Sequence, residues 1–272
     1  MKRKIRIGAL ISGGGTNLQS IIDGCEAGRI NGEMVFVGSD TPEAFGLTRA
    51  KKHGIPTFVV DYGAIIAAHR NGEAPNSLEP IDLIDISNKI GLFGPSTPEE
   101  KKRAFIVSRT AAESEMLKSM ARYPFDLLVL AGFMRTLTPY FIDRVNTDAN
   151  RPRIMNIHPA LLPAFPGTDG YGDTFCYGCK IGGCTVHFVD YGEDSGPIIG
   201  QMAYEIFPAD TLEEIKKRGL ALEWELYPKC IQWFAEDRIK LEKRRCQGPG
   251  GQWMERLVVT LRSKRGNEKG YP

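Results

Sequence analysis

Asn156 and His158 stand one residue apart in the segment Asn-Ile-His-Pro, at the end of the apolar stretch Ile154 to Ile157. If that stretch is a strand, alternation sends both side chains to the same face. An amide beside an imidazole can donate hydrogen bonds to a developing oxyanion and move a proton near neutral pH. Acyl transfer to an amine needs both, because the nucleophile must lose protons. A lone histidine is more often structural, but here Pro159, Pro163 and Pro166 stiffen the following loop and can hold the pair in place. Asp190, Glu193 and Asp194 lie together in the turn Asp-Tyr-Gly-Glu-Asp-Ser-Gly-Pro. A carboxylate there can raise the histidine pKa or accept a proton through water. A solvated acidic turn has the same composition, and spacing alone does not choose among the three carboxylates.

A second cluster is the loop Gly13-Gly14-Gly15-Thr16-Asn17. Glycines permit the φ values and close approach that let backbone amides face an anion, and a helix start there adds its positive end. The loop has neither Gly-x-x-x-x-Gly-Lys-Ser/Thr nor Gly-x-Gly-x-x-Gly, which argues against a nucleoside triphosphatase or an ordinary dinucleotide site. A small phosphate monoester fits better; a tight structural turn is the alternative. Cys176, Cys179 and Cys184 with His187 have the ligand types and close spacing of a small zinc site. Against zinc, Cys184 sits in a predicted strand with limited freedom, and the expectation is reduced thiols with no metal.

The elements that must position these groups read as an α/β protein. Lys4 to Ile11 predicts a strand, and Leu18, Ile21, Ile22 and Cys25 follow at helical spacing. Strand, glycine turn and helix open a doubly wound, mostly parallel sheet, which places ligands at strand C-terminal ends. Further strands are predicted at Met34 to Gly38, Thr57 to Val60, Asp126 to Ala131, Ile154 to Ile157, Cys184 to Val189 and Pro197 to Ile206. Helices are predicted at Ala44 to His53, about Pro98 to Arg122 with Thr97 as cap, and Thr211 to Phe234. Residues 62–97 break the pattern and read as an insertion. The charged tail after about Ala235 has one predicted strand, Leu257 to Leu261, and the basic run Lys240 to Arg245 reads as a solvated face.

The 272 residues, 42% hydrophobic and 25% charged, have the composition of an ordinary soluble protein with length for a sizeable core. A net charge of +2 lacks the basic footprint of a nucleic-acid binder. No stretch reaches the roughly 18 apolar residues of a membrane span. Arg6 interrupts the only apolar run that resembles a signal peptide. Six cysteines are too few for a disulfide scaffold. The expected location is the cytoplasm.

Taken together, Ser12-Gly-Gly-Gly-Thr-Asn-Leu-Gln, Ala44-Phe-Gly-Leu, Leu130-Ala-Gly-Phe-Met-Arg, Asn156-Ile-His-Pro-Ala-Leu-Leu-Pro, Phe165-Pro-Gly, Val186-His-Phe-Val-Asp and Asp194-Ser-Gly-Pro-Ile-Ile resemble the folate-dependent phosphoribosylglycinamide formyltransferases of purine synthesis. The resemblance covers roughly residues 4–60 and 98–236. It implies a Rossmann-like fold and formyl transfer from 10-formyltetrahydrofolate to the glycinamide amine, with no metal. It implies that Gly15, Thr16 and Asn17 hold the substrate phosphate and that Glu223 contacts the ribose or glycinamide part. Met134, Arg135, Thr136 and Leu137 would border the folate pocket, with Met134 also near the acceptor, and Arg109 would reach the folate. Asn156 would bind the formyl oxygen and also face the folate, His158 would act as general acid, and Asp194 would keep His158 protonated. His187 would support the aspartate loop.

The resemblance divides the chain into a catalytic unit at residues 1–236, interrupted by the 62–97 insertion, and an extension at residues 237–272. Expected partners are a phosphorylated amine and a folate, without nucleic acid or membrane; a homodimer is among the expectations. In the family a Leu-His pair usually follows Pro-Gly, whereas Thr168-Asp-Gly-Tyr-Gly-Asp stands here, so the accepting amine is the softer assignment. The alternatives are formyl transfer to another phosphorylated amine or a sugar nucleotide, hydrolysis of formyltetrahydrofolate, and a binding protein without activity. The intact trio of Asn156, His158 and Asp194 speaks against the last.

Overall fold

The isoleucine-rich run Ile5–Ile11 forms β1, buried except at Arg6 and flanked by two parallel strands, β2 (Gly32–Ser39) and β4 (Leu127–Leu130). β3 (Thr57–Val59) lies beside β2, and β5 (Ile154–His158) beside β4, again in parallel. Direction then changes: β6 (Ile181–Phe188) is antiparallel to β5, and β7 (Ile198–Glu205) is antiparallel to β6. The sheet order is β3-β2-β1-β4-β5-β6-β7, the predicted doubly wound and mostly parallel architecture. β4 is buried at all four residues, as its unbroken apolar run predicts for a strand covered on both faces. This computed structural model describes residues 3–73, 81–94, 96–248 and 250–263; the remainder of the 62–97 insertion and of the 237–272 extension lies outside the described residues.

One face of the sheet packs against α1 (Thr16–Glu26), α2 (Phe45–Lys52) and α8 (Leu212–Ala235), through Leu18, Ile21, Leu47, Leu226 and Ile231. The other packs against α5 (Glu99–Met120) and α6 (Pro139–Val145), through Ala112, Met116, Phe141 and Ile142. Tyr227 of α8 ties the two strands that carry the site. Its buried hydroxyl lies 2.7 Å from the carbonyl oxygen of Met155 in β5 and 3.1 Å from that of Leu130 in β4.

Residues 62–97 contain two helices that the blurred pattern conceals, α3 (Tyr62–Arg70) and α4 (Leu83–Lys89). Asp61 and Asp82 cap them, accepting from Ala64 N–H and from Ile84 and Asp85 N–H. Thr97 is not the cap of α5: Pro98 holds that position, extended, with no side-chain cap bond. Proline's fixed φ and missing N–H suit a helix start without one.

The tail forms a hairpin of β8 (Ile239–Gln247) and β9 (Trp253–Leu261), not a single strand. Charges along β8 hide its alternation, because only Ile239 and Leu241 turn to the core, beside Val259 and Leu261. A short helix, α7 (Gly170–Cys176), occupies the stretch that departs from the family pattern. No helix among the described residues is long and apolar enough to cross a membrane.

Candidate active site

β5 ends in the cleft, and its antiparallel pairing with β6 sets Asn156 opposite His187 and His158 opposite Thr185. The amide nitrogen of Asn156 lies 3.2 Å from His187 Nε2 and 3.4 Å from Asp194 Oδ1. Asp194 Oδ2 stands 3.2 Å from His158 Nδ1 and accepts the Gly167 N–H at 2.9 Å, while His187 Nε2 is 3.5 Å from Asp194 Oδ1. The structure therefore selects among the three carboxylates of the turn. Asp194 faces both histidines, Asp190 is held by Ser195 and the Gly192 N–H, and Glu193 is exposed.

Two residues touching His158 have left-handed backbones, Phe165 at φ 54° and Asp194 at φ 48°. Such conformations are uncommon outside glycine, and cost most for a bulky side chain such as phenylalanine. Here they turn the Phe165 carbonyl to 2.7 Å from His158 Nε2 and aim the Asp194 carboxylate at Nδ1. Both ring nitrogens thus face oxygen acceptors, and only the doubly protonated ring can donate to both.

Burial pushes the His158 pKa below the ordinary imidazole range, against the upward pull of Asp194 and the Phe165 carbonyl. Asp194 therefore acts in the direction the resemblance implies, but burial outweighs it. For Asp194 the balance reverses. Burial raises its pKa, yet hydrogen bonds from His187 and Gly167 and the charge of His158 hold it below the usual carboxylate range.

Met134, Arg135, Thr136 and Leu137 line the cleft together with Asn156, His158 and Asp194. Their loop is fixed at both ends. Met134 N–H donates to Ser12 Oγ at 2.8 Å, and Thr138 N–H donates to Glu113 Oε1 at 2.7 Å, with the Thr138 hydroxyl on the other oxygen. Glu113, which sequence reasoning missed, is fully buried, and burial pushes its pKa up to about 8. Arg109 does not line this cleft. It lies in an adjoining pocket with Arg70 and Arg135, and Arg135, paired with Asp40, forms the shared wall. Nε and Nη1 of Arg109 are buried with no hydrogen-bond partner among the described residues, and its guanidinium lies over the rings of Tyr62 and Phe105 at 5.7 and 5.2 Å.

Gly15 precedes α1 at φ 69°, and a Cβ there would stand 2.7 Å from Gly46 Cα, so both conformation and packing require glycine. No side chain caps α1, and Thr16 is exposed at its first turn. Asn17 is buried and donates to Glu223 at 2.6 Å, joining the glycine loop to α8. Tyr171 donates to the other oxygen of Glu223, a contact with no motif to announce it.

The cysteine cluster does not converge. Cys184 is buried, with its thiol pKa pushed up to about 12 by burial, and Cys176 is exposed. Residues three apart on a strand point to opposite faces, so Cys184 and His187 diverge on β6. Among the described residues no group of three His, Cys, Asp or Glu side chains is placed to hold a metal.

The sheet is doubly wound, an amide and an imidazole at the end of β5 face the Asp194 carboxylate, and residues 5–231 match the formyl transferase family. The chain belongs to that family. It is 35% identical over 237 residues to the phosphoribosylglycinamide formyltransferase of Haemophilus influenzae, covering 87% of this chain and 90% of that protein. The Escherichia coli phosphoribosylglycinamide formyltransferase is 32% identical, over 88% and 91%. In three dimensions the chain resembles glycinamide ribonucleotide transformylase 1 from Symbiobacterium toebii, with a TM-score of 0.70 and 36% identity over 96% of this chain and 95% of that one.

Proposed function

We propose that the protein transfers the formyl group of 10-formyltetrahydrofolate to the amine of 5'-phosphoribosylglycinamide, giving the formylated ribonucleotide and tetrahydrofolate. The observation that carries this reading is the Asp194 carboxylate spanning His158 Nδ1 and the Asn156 amide at one strand end, beside the loop of residues 134–137. Amine attack on the formyl carbon places negative charge on the formyl oxygen. The 3.4 Å contact from Asn156 to Asp194 is long for a hydrogen bond, so that N–H is readily redirected to the oxyanion. His158 moves the proton that the departing folate nitrogen needs, and Asp194 stabilises the imidazolium during that transfer. His187 steadies Asp194 through Nε2.

Gly15, Thr16 and Asn17 take the phosphate at the uncapped start of α1, and Glu223 takes the ribose or glycinamide part. Met134, Arg135, Thr136, Leu137 and Asn156 border the folate, and the unpartnered nitrogens of Arg109 suit its carboxylates. Residues 1–236 form the catalytic unit in this reading, with 62–97 inserted and 237–272 appended. Six unpaired cysteines fit a reducing cytoplasm. The partners are small molecules, not nucleic acid; a homodimer is checked by sedimentation.

The test is incubation with 10-formyltetrahydrofolate, with and without glycinamide ribonucleotide. Acceptor-dependent release of tetrahydrofolate is expected. Release without acceptor would indicate a hydrolase, and none a binding protein; either would overturn the proposal.

A further inference from the structure

Glu223 is buried on α8, and each of its oxygens receives a neutral donor from a different element. Asn17 Nδ2 comes from the start of α1 at 2.6 Å, and the Tyr171 hydroxyl comes from α7. Two glycines are fitted to this arrangement. A Cβ at Gly219 of α8 would fall 2.2 Å from the Tyr171 ring, so the helix leaves a notch for it. A Cβ at Gly170 would fall 3.1 Å from His158 Nε2 and 3.0 Å from the Pro159 carbonyl oxygen, so α7 starts against the reacting imidazole. The helix that carries Tyr171 therefore relates the Glu223 subsite to the reaction centre.

Asn17 Oδ1 is buried with no hydrogen-bond partner among the described residues, a position that loses free energy until a donor arrives. A carboxylate has about four lone-pair directions, so Glu223 retains acceptor capacity after both bonds are made. We propose that Tyr171 is a positioning residue for the acceptor: it holds Glu223 beside Asn17 so that the two accept N–H and O–H donors of the phosphorylated amine. The inference rests on the proposed function and gives the altered 168–173 stretch a role, since Tyr171 lies within it.

Tyr171 from α7 donates to Glu223, and among the described residues Cys184 of β6 and Tyr204 of β7 also feel its charge; none of the three is cationic. Burial raises the Glu223 pKa, and the bonds from Asn17 and Tyr171 oppose that rise. Losing one bond therefore falls directly on the carboxylate.

Tyr171→Phe removes the hydroxyl and keeps the ring, whereas Tyr171→Ala removes both. With glycinamide ribonucleotide varied at saturating 10-formyltetrahydrofolate, Tyr171→Phe should raise the acceptor KM about tenfold, the effect of one hydrogen bond to a charged group. Its kcat and the KM for the folate should stay within about twofold of wild type, as for an interaction made equally in ground and transition states. Calorimetric titration with the acceptor should show the same loss of affinity. A packing role alone would leave Tyr171→Phe like wild type and damage only Tyr171→Ala, and that result would overturn the inference while leaving the proposed function standing. An inactive wild type would overturn both. If Tyr171→Ala fails to fold, Tyr171→Phe still decides.

Discussion

Asp194 presents Oδ2 to Nδ1 of His158 at 3.2 Å from a backbone turned to φ 48°. Asn tolerates that conformation as well as Asp and keeps an oxygen for the Gly167 N–H, so Asp194→Asn should fold normally. It removes the charge that stabilises the imidazolium. Turnover should fall by about 10²–10⁴, the usual worth of acid–base assistance. Steady-state rates beside a thermal melt check this, and wild-type turnover would remove Asp194 from the mechanism.

The same pair sets a pH signature. His158 titrates below the ordinary imidazole value because burial outweighs Asp194, so it should fall further in Asp194→Asn. A histidine depressed in the folded state contributes no penalty above its unfolded pKa and costs stability as pH falls through that value toward the folded one. Imidazole NMR on both proteins measures the shift; a higher pKa in the variant would contradict the geometry.

Glu113 gives the opposite sign. Its folded pKa is raised to about 8, so the native state holds a proton that the unfolded chain releases near pH 4.5. Stability should decline as pH rises between those values, with a limiting slope of about 1.4 kcal/mol per pH unit. Glu113→Gln keeps the shape that holds Thr138 and should flatten this decline in denaturant titrations across pH 5–9.

Gly15→Ala combines a positive φ with a Cβ 2.7 Å from Gly46 Cα. A loss of roughly 1–3 kcal/mol in stability is expected. The acceptor KM should rise more than the folate KM, because the displaced loop is the one assigned to phosphate. Equal effects on both would argue against that assignment.

Much of this protein is legible in one dimension. Apolar runs such as Leu127–Leu130 must be buried on both faces, and a glycine loop between a strand and an amphipathic helix marks the opening unit of a doubly wound sheet. Two residues of spacing put Asn156 and His158 on one face because strand side chains alternate. Where surface charges obscure the alternation, as in β8, or breaks interrupt the helical period, as in residues 62–97, the pattern fails.

Tertiary structure alone decided how distant segments meet. Spacing left Asp190, Glu193 and Asp194 open and only the resemblance favoured Asp194; which carboxylate faces His158 depends on how one turn folds back over β5. The pairing of Tyr171 with Glu223 spans 52 residues, and that of Asn17 with Glu223 spans 206. Spacing in sequence fixes direction only within one element. Convergence across elements is set by sheet order and helix packing, which place the glycine loop, α7 and α8 around one buried carboxylate.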